Sequence, residues 1–227
     1  MIILAIDTSA NTCSVALTDN ETLKYEYTAD HGKTHAVRLS GMIDEVLGAS
    51  GMKAGDIDGF SVTTGPGSFT GLRIGIATVK GLAMAASKPV AAVSTLEVLA
   101  FQCAGVDFLI HPFIDARKKE VYTAGYRWAR GHLAMASPPL AASPDRIVPG
   151  IHEKCFFVGN GARLYRDFIE KQLGSAAVVA PEQMGTVRAA AVALLGFRVF
   201  QKKAGVHAHD ITPFYIRRSD AEKTRQH

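Results

Sequence analysis

A chain of 227 residues is too long for a minimal binding module and fits one large domain or two small lobes. With 48% hydrophobic and 20% charged residues it has the apolar material to fold, which excludes global disorder. The net charge of +4 is unevenly divided: residues 1–110 carry seven bases against eleven acids, and residues 111–227 eighteen against ten.

The start, MIILAID, has no basic segment before it and meets an acid at Asp7, so it reads as a buried strand and not as a signal peptide. The most apolar stretch, 189–197, lies between Arg188 and Arg198 and falls short of the ~18 to 20 residues a bilayer requires, so no membrane contact is expected. Cys13, Cys103 and Cys155 are odd in number, far apart and not in a CxxC. They fit small buried residues in a reducing compartment, without a disulfide or zinc framework, and a cytoplasmic protein is expected.

Strand patterns at 2–7, 12–18 and 23–28, joined by short polar turns, predict a β-meander. Thr34 is placed to cap a helix to about residue 48, with Leu39, Met42, Ile43, Val46 and Leu47 on one face. A strand at 57–64, a Gly-rich turn, a helix at 69–86, a strand at 90–93 and a helix from 95 follow. The same grammar then restarts. Residues 109–116 pass through Ile114-Asp115 as the first strand ends in Ile6-Asp7, and strands at 121–128 and 133–136 complete a second meander. Residues 155–158, then Gly159-Asn160-Gly161 and a helix to about 173, match 62–64 and Gly65-Pro66-Gly67. A last helix is predicted at 187–203, and 138–149 reads as a surface loop. The pattern predicts an α/β protein of two duplicated lobes, each β-β-β-α-β-α around a central mixed sheet. The expected division is 1–106, 107–216 and a basic tail, 217–227.

The sharpest motif is GPGSFTGLRIG at 65–75. Gly65, Gly67 and Gly71 permit tight turning and close approach, Ser68 or Thr70 can cap the following helix, and with Arg73 the helix start favours an anion. It lacks the GK[ST] ending of a Walker loop and does not follow the first strand as a dinucleotide fingerprint would. A ligand or partner loop and a tight structural turn both remain open. The following helix is apolar nearly all round, apart from the stripe Arg73, Ala77, Lys80 and Met84, so a second burial partner is expected, either a neighbouring helix or another subunit. The candidate interface residues are His35, Leu39, Met42, Leu72, Ile76, Val79 and Lys80.

His31 and His35 have an H-x-x-x-H spacing, but neither a third ligand nor a catalytic Glu accompanies them, so no metal site is expected there. Asp7, Ser9, Asp115, Gly159 and Gly161 occupy the places where a two-lobed phosphotransferase holds phosphates, yet no glycine follows either Asp and Arg117 is bulky. They read as a vestigial nucleotide cleft, with binding of ATP or another nucleotide left open. No Ser-His-Asp or Cys-His set is discernible by spacing. The surplus of bases near the end, including Arg217, Arg218, Lys223 and Arg225, fits either phosphate contacts or a solvated terminus.

IDTS at 6–9, GPGSFTGLRIG at 65–75 followed by Lys80-Gly81-Leu82-Ala83, Ser94-Thr95-Leu96, IDARKKEVY at 114–122 and Pro213-Phe-Tyr-Ile-Arg217 together resemble the TsaB (YeaZ) family over the whole chain, most closely in its first half. The resemblance implies the actin/hexokinase-like superfamily of duplicated lobes and a bacterial cytoplasmic protein needed to form threonylcarbamoyladenosine beside the tRNA anticodon. It implies a non-catalytic scaffold that binds the paralogue TsaD as a heterodimer, with TsaE as ATPase partner, pairs with itself when alone, and meets tRNA through the complex. TsaD holds the metal and transfers the threonylcarbamoyl group from its adenylate. Its H-x-x-x-H pair would fall on Thr95 and Leu99 here, so the resemblance implies no cofactor and no metal for this chain alone. The competing expectation is an enzyme, an ATP-dependent phosphotransferase or a glycoprotease.

Overall fold

The computed structural model describes residues 1–30 and 35–216, with side chains omitted at 35 and 36. The chain divides into two compact units, Met1–Val98 with Val187–Phe214, and Leu99–Thr186 with Tyr215 and Ile216.

In the first unit, β1 (Ile2–Asp7), β2 (Thr12–Asp19) and β3 (Thr22–Asp30) form the antiparallel meander, and β4 (Gly59–Gly65) and β5 (Val90–Ser94) extend the sheet in parallel. The strand order is β3-β2-β1-β4-β5. From Ile3 to Asp7, β1 is wholly buried, which is why its sequence is a continuous apolar run and not an alternation. Two helices, α1 (His35–Ser50) and α2 (Phe69–Ala86), pack on this sheet, α1 against β2 and β3 and α2 against β4 and β1. By length and apolar composition α2 could cross a membrane, but one face of it, with Leu72, Ile76, Val79 and Ala83, is buried in the unit. The chain enters the second unit within α3 (Thr95–Phe101).

The second unit repeats the plan. β6 (Leu109–Asp115), β7 (Val121–Ala129) and β8 (His132–Ala142) form the meander, and β9 (Cys155–Val158) and β10 (Ala177–Val179) add in parallel, in the order β10-β9-β6-β7-β8. With β6 matched to β1 this is the same topology, so the predicted duplication is present.

Three features differ from the sequence reading. β8 runs on through Pro138 and Pro139, where a loop was expected; it is the sheet's edge strand, and both prolines fall between the Thr123–Leu140 and Gly125–Ser137 pairs, where the ladder shifts register. A short helix α4 (Pro144–Ile147) follows, and the helix expected up to 173 breaks at Tyr165 into α5 (Asn160–Leu164) and α6 (Arg166–Leu173). The last helix, α7 (Ala189–Gln201), packs on β1, β2, β4 and β5 of the first sheet, so the chain does not divide at 106/107. Its apolar face, including Val192 and Leu195, is buried there. Gly196 lets it close in, since a Cβ would lie 2.5 Å from Ser61 Oγ, and that hydroxyl donates to Val192 O at 2.9 Å.

Candidate functional site

The glycines of the β4–α2 turn face the chain's own backbone. A Cβ at Gly67 would lie 2.3 Å from Ser9 O, and one at Gly71 2.0 Å from Thr8 O. The two segments are also bonded: Ser68 N donates to Ser9 O at 2.7 Å and Thr8 Oγ1 to Gly71 O at 2.7 Å. Gly65, with φ of 124°, sits against Phe214 O. Ser68 caps α2 by accepting from Gly71 N at 3.2 Å. Of the residues read as a ligand or partner loop, Gly65, Gly67 and Gly71 therefore do structural work, and Ser68 N and Gly71 N are already bonded within the chain. Ser68, Thr70 and Arg73 are exposed, and the Arg73 guanidinium lies 3.8 Å from the centre of the Phe69 ring.

Asp7 is fully buried, and its Oδ1 accepts from Ser9 Oγ and Thr63 Oγ1, both at 2.6 Å, and from Ser9 N at 3.3 Å. Oδ1 thereby ties the turn after β1 to β4. In the second unit, Asp115 accepts from Arg117 N at 2.8 Å and pairs with the Arg117 guanidinium at 3.5 Å. Gly159, with φ of 109°, and Gly161 approach Phe113 O, where a Cβ would come within 2.5 and 2.8 Å. Both lobes thus use glycine to seat a helix start against their first strand. Arg117, Lys118 and Lys119 are all left-handed, with φ of 61°, 52° and 62°, and present an exposed basic turn that the motif IDARKKEVY did not announce.

The expected interface is corrected by burial. Leu39, Met42, Leu72, Ile76 and Val79 are each no more than 4% exposed and belong to the core that α1 and α2 share with the first sheet. The outer faces carry Val37 at 78% exposure, Gly41, Ala77, Gly81 and Met84 at 66%. Lys80 is half-buried and donates to His209 O at 3.2 Å. The clue was in the spacing: 72, 76, 79 and 83 carry residues that face the sheet, while Ala77, Gly81 and Met84 lie on the exposed side. His31, the His35 side chain, the Thr34 cap, and Arg217, Arg218, Lys223 and Arg225 lie outside the described residues. Among the described residues, no three His, Cys, Asp or Glu side chains gather as a metal site.

Two five-stranded sheets of identical order, each with a glycine-seated helix after its fourth strand, define a duplicated two-lobed α/β protein. The (R)-2-hydroxyglutaryl-CoA dehydratase component A of Acidaminococcus fermentans shares the fold, with a TM-score of 0.52 at 14% identity over 90% of this chain and 99% of that one. A family model described as TsaD, tRNA N6-adenosine threonylcarbamoyltransferase, matches residues 22–225. The tRNA threonylcarbamoyladenosine biosynthesis protein TsaB of Bacillus subtilis is 34% identical over 98% of this chain and 96% of its own. The solved structure of YeaZ from Pseudomonas aeruginosa aligns with a TM-score of 0.82 at 29% identity, over 94% of this chain and 99% of that one. The chain belongs to the TsaB (YeaZ) family.

Proposed function

We propose that this chain takes part in forming threonylcarbamoyladenosine in tRNA as a non-catalytic subunit that binds TsaD, with TsaE completing the assembly. The observation that carries the reading is the pair Thr95 and Leu99. They stand on α3 where the resemblance aligns the two metal-binding histidines of TsaD, and each is 1% exposed. A hydroxyl and a hydrocarbon cannot replace two imidazoles on a transition metal.

The outward faces of α1 and α2, with Val37, Ala77 and Met84, are the surface offered to TsaD, or to a second copy when TsaD is absent. The compartment is the cytoplasm, where the tRNA substrate is made.

The test is reconstitution from purified components, with unmodified tRNA and threonylcarbamoyl-adenylate, omitting one protein at a time. The modified nucleoside should form only with TsaD present and should fall sharply when this chain is left out. Formation by this chain without TsaD would overturn the assignment.

A further inference from the structure

One face of the second sheet is only partly covered. Leu109, Phe113, Val121 and Phe157 are buried under Val148, Ile151 and Ile169. Toward β7 and β8 that cover ends, and a pocket of about 770 Å³ opens between the sheet and the segment that follows β8, with Leu109, His111, Arg127 and Ser137 among its lining residues. That volume lies within the range of small-molecule sites, about 300 to 1,000 Å³.

We propose that this pocket binds a small organic anion, a phosphate or carboxylate on an apolar body. Its charged head would be held by Arg127 and Arg146, and its body would lie against Leu109, Leu140 and Ile151.

The charges in the lining favour an anion. Two guanidinium groups face one carboxylate, Glu153, and that carboxylate is bonded to Arg127. The Arg146 side chain has no ion pair among the described residues, and a guanidinium is shaped for a carboxylate or phosphate.

His111 supplies an independent mark of a site. It is 7% exposed, its Nδ1 lies 3.1 Å from Thr123 Oγ1, and its ring is fixed between a stack on Phe157 at 6.1 Å and the edge of Phe113 at 6.2 Å. Nε2 has no hydrogen bond among the described residues, so the outer edge of the ring is left toward the pocket that His111 lines. In the tautomer in which Thr123 Oγ1 donates to Nδ1, the neutral ring offers Nε2–H as a donor to the bound anion.

The backbone keeps that donor accessible. β7 is irregular at Gly125, where a Cβ would lie 2.6 Å from Ser137 Oγ and 3.5 Å from His111 Nε2. Gly125 N donates to Ser137 Oγ at 2.7 Å, which leaves the Ser137 hydroxyl proton for the pocket. Glycine here leaves room for the Ser137 hydroxyl beside the imidazole.

The test uses the full chain and follows the His111 imidazole by nitrogen-detected NMR during titration. Adenosine 5′-monophosphate and hexanoate are the probes, with adenosine and hexanol as neutral controls. One or both anions should shift the His111 resonances, and the responding anion shows whether the head is phosphate or carboxylate. Each control should bind at least tenfold more weakly, Arg146→Ala should lower affinity about tenfold or more, and Leu140→Trp, a filling change from a surface position, should abolish the shift. No response to either anion at millimolar concentration, or a response unchanged in both variants, would overturn the proposal.

Discussion

Arg188 and Glu26 are joined by two hydrogen bonds, from Nε at 2.8 Å and from a terminal guanidinium nitrogen, both to Glu26 Oε2. The link ties the start of α7 to β3 within the first unit. The other oxygen of Glu26 accepts from Ala190 N at 3.0 Å, and Ser14 Oγ accepts from Ala189 N at 2.9 Å. Two amides that a helix start leaves without intrahelical partners are thus satisfied by the β2–β3 hairpin, with a carboxylate at the positive end of the helix.

Because the Glu26 side chain is 5% exposed while that of Arg188 is 54% exposed, the two ends of the pair should respond unequally. Glu26→Ala removes a buried acceptor and should cost about 1 to 3 kcal/mol in urea denaturation. Arg188→Ala, acting at a solvent-screened cation, should cost less than Glu26→Ala.

His111 should impose a pH dependence on stability. Burial lowers its pKa from 6.5 to about 4, with the charge of Glu153 opposing the shift. As the pH falls below about 6.5 the unfolded chain takes up the proton first, so stability is complete above that pH, declines toward pH 4 and levels off below it. The loss is at most on the order of 3 kcal/mol. His111→Gln should flatten that part of the stability curve, measured as urea midpoints between pH 4 and 7. A slope identical to wild type would contradict the buried neutral imidazole.

The three thiols should be inert in the native protein. Burial pushes Cys13 up to about 11, with the charge of Asp7 adding to it, Cys103 up to about 12, and Cys155 upward as well. Ellman's reagent at pH 8 should titrate no thiol before denaturation and all three of the chain's cysteines after it.

Association with TsaD should depend on the outward helix faces and not on the core residues first expected. Val37→Glu combined with Met84→Glu changes two exposed positions and should abolish copurification with TsaD while leaving the thermal midpoint within a few degrees of wild type. Ile76→Glu places a charge at a position only 4% exposed, and should unfold the protein before any interface is tested.

The repeated Ile-Asp strand ends and the paired GxG turns made the duplicated architecture legible, because a recurring order of strand, turn and helix survives divergence in sequence. The glycine motif was legible as close backbone approach but not as to what approached. Nothing local in residues 65–75 says that Thr8 and Ser9 are the neighbours. The apolar surplus of α2 was real, but naming Ile76 and Val79 at an interface ignored that the spacing 72, 76, 79 and 83 marks the sheet side. Amphipathicity tells that α7 is covered, yet not which sheet covers it. His111 carried no signal at all, since its position depends on the register of β6 against β7 and on the irregularity at Gly125.

The placement of α7 also bears on how the protein is made. Since residues 187–214 complete the unit that residues 1–98 begin, a nascent chain that has released only its first half still lacks the helix that shields β1, β4 and β5. During translation that apolar sheet must wait, open to chaperones or to pairing with another chain, until Ala189–Gln201 has been made. Termination between residues 95 and 188 therefore damages the first lobe, although every strand of its sheet is already present.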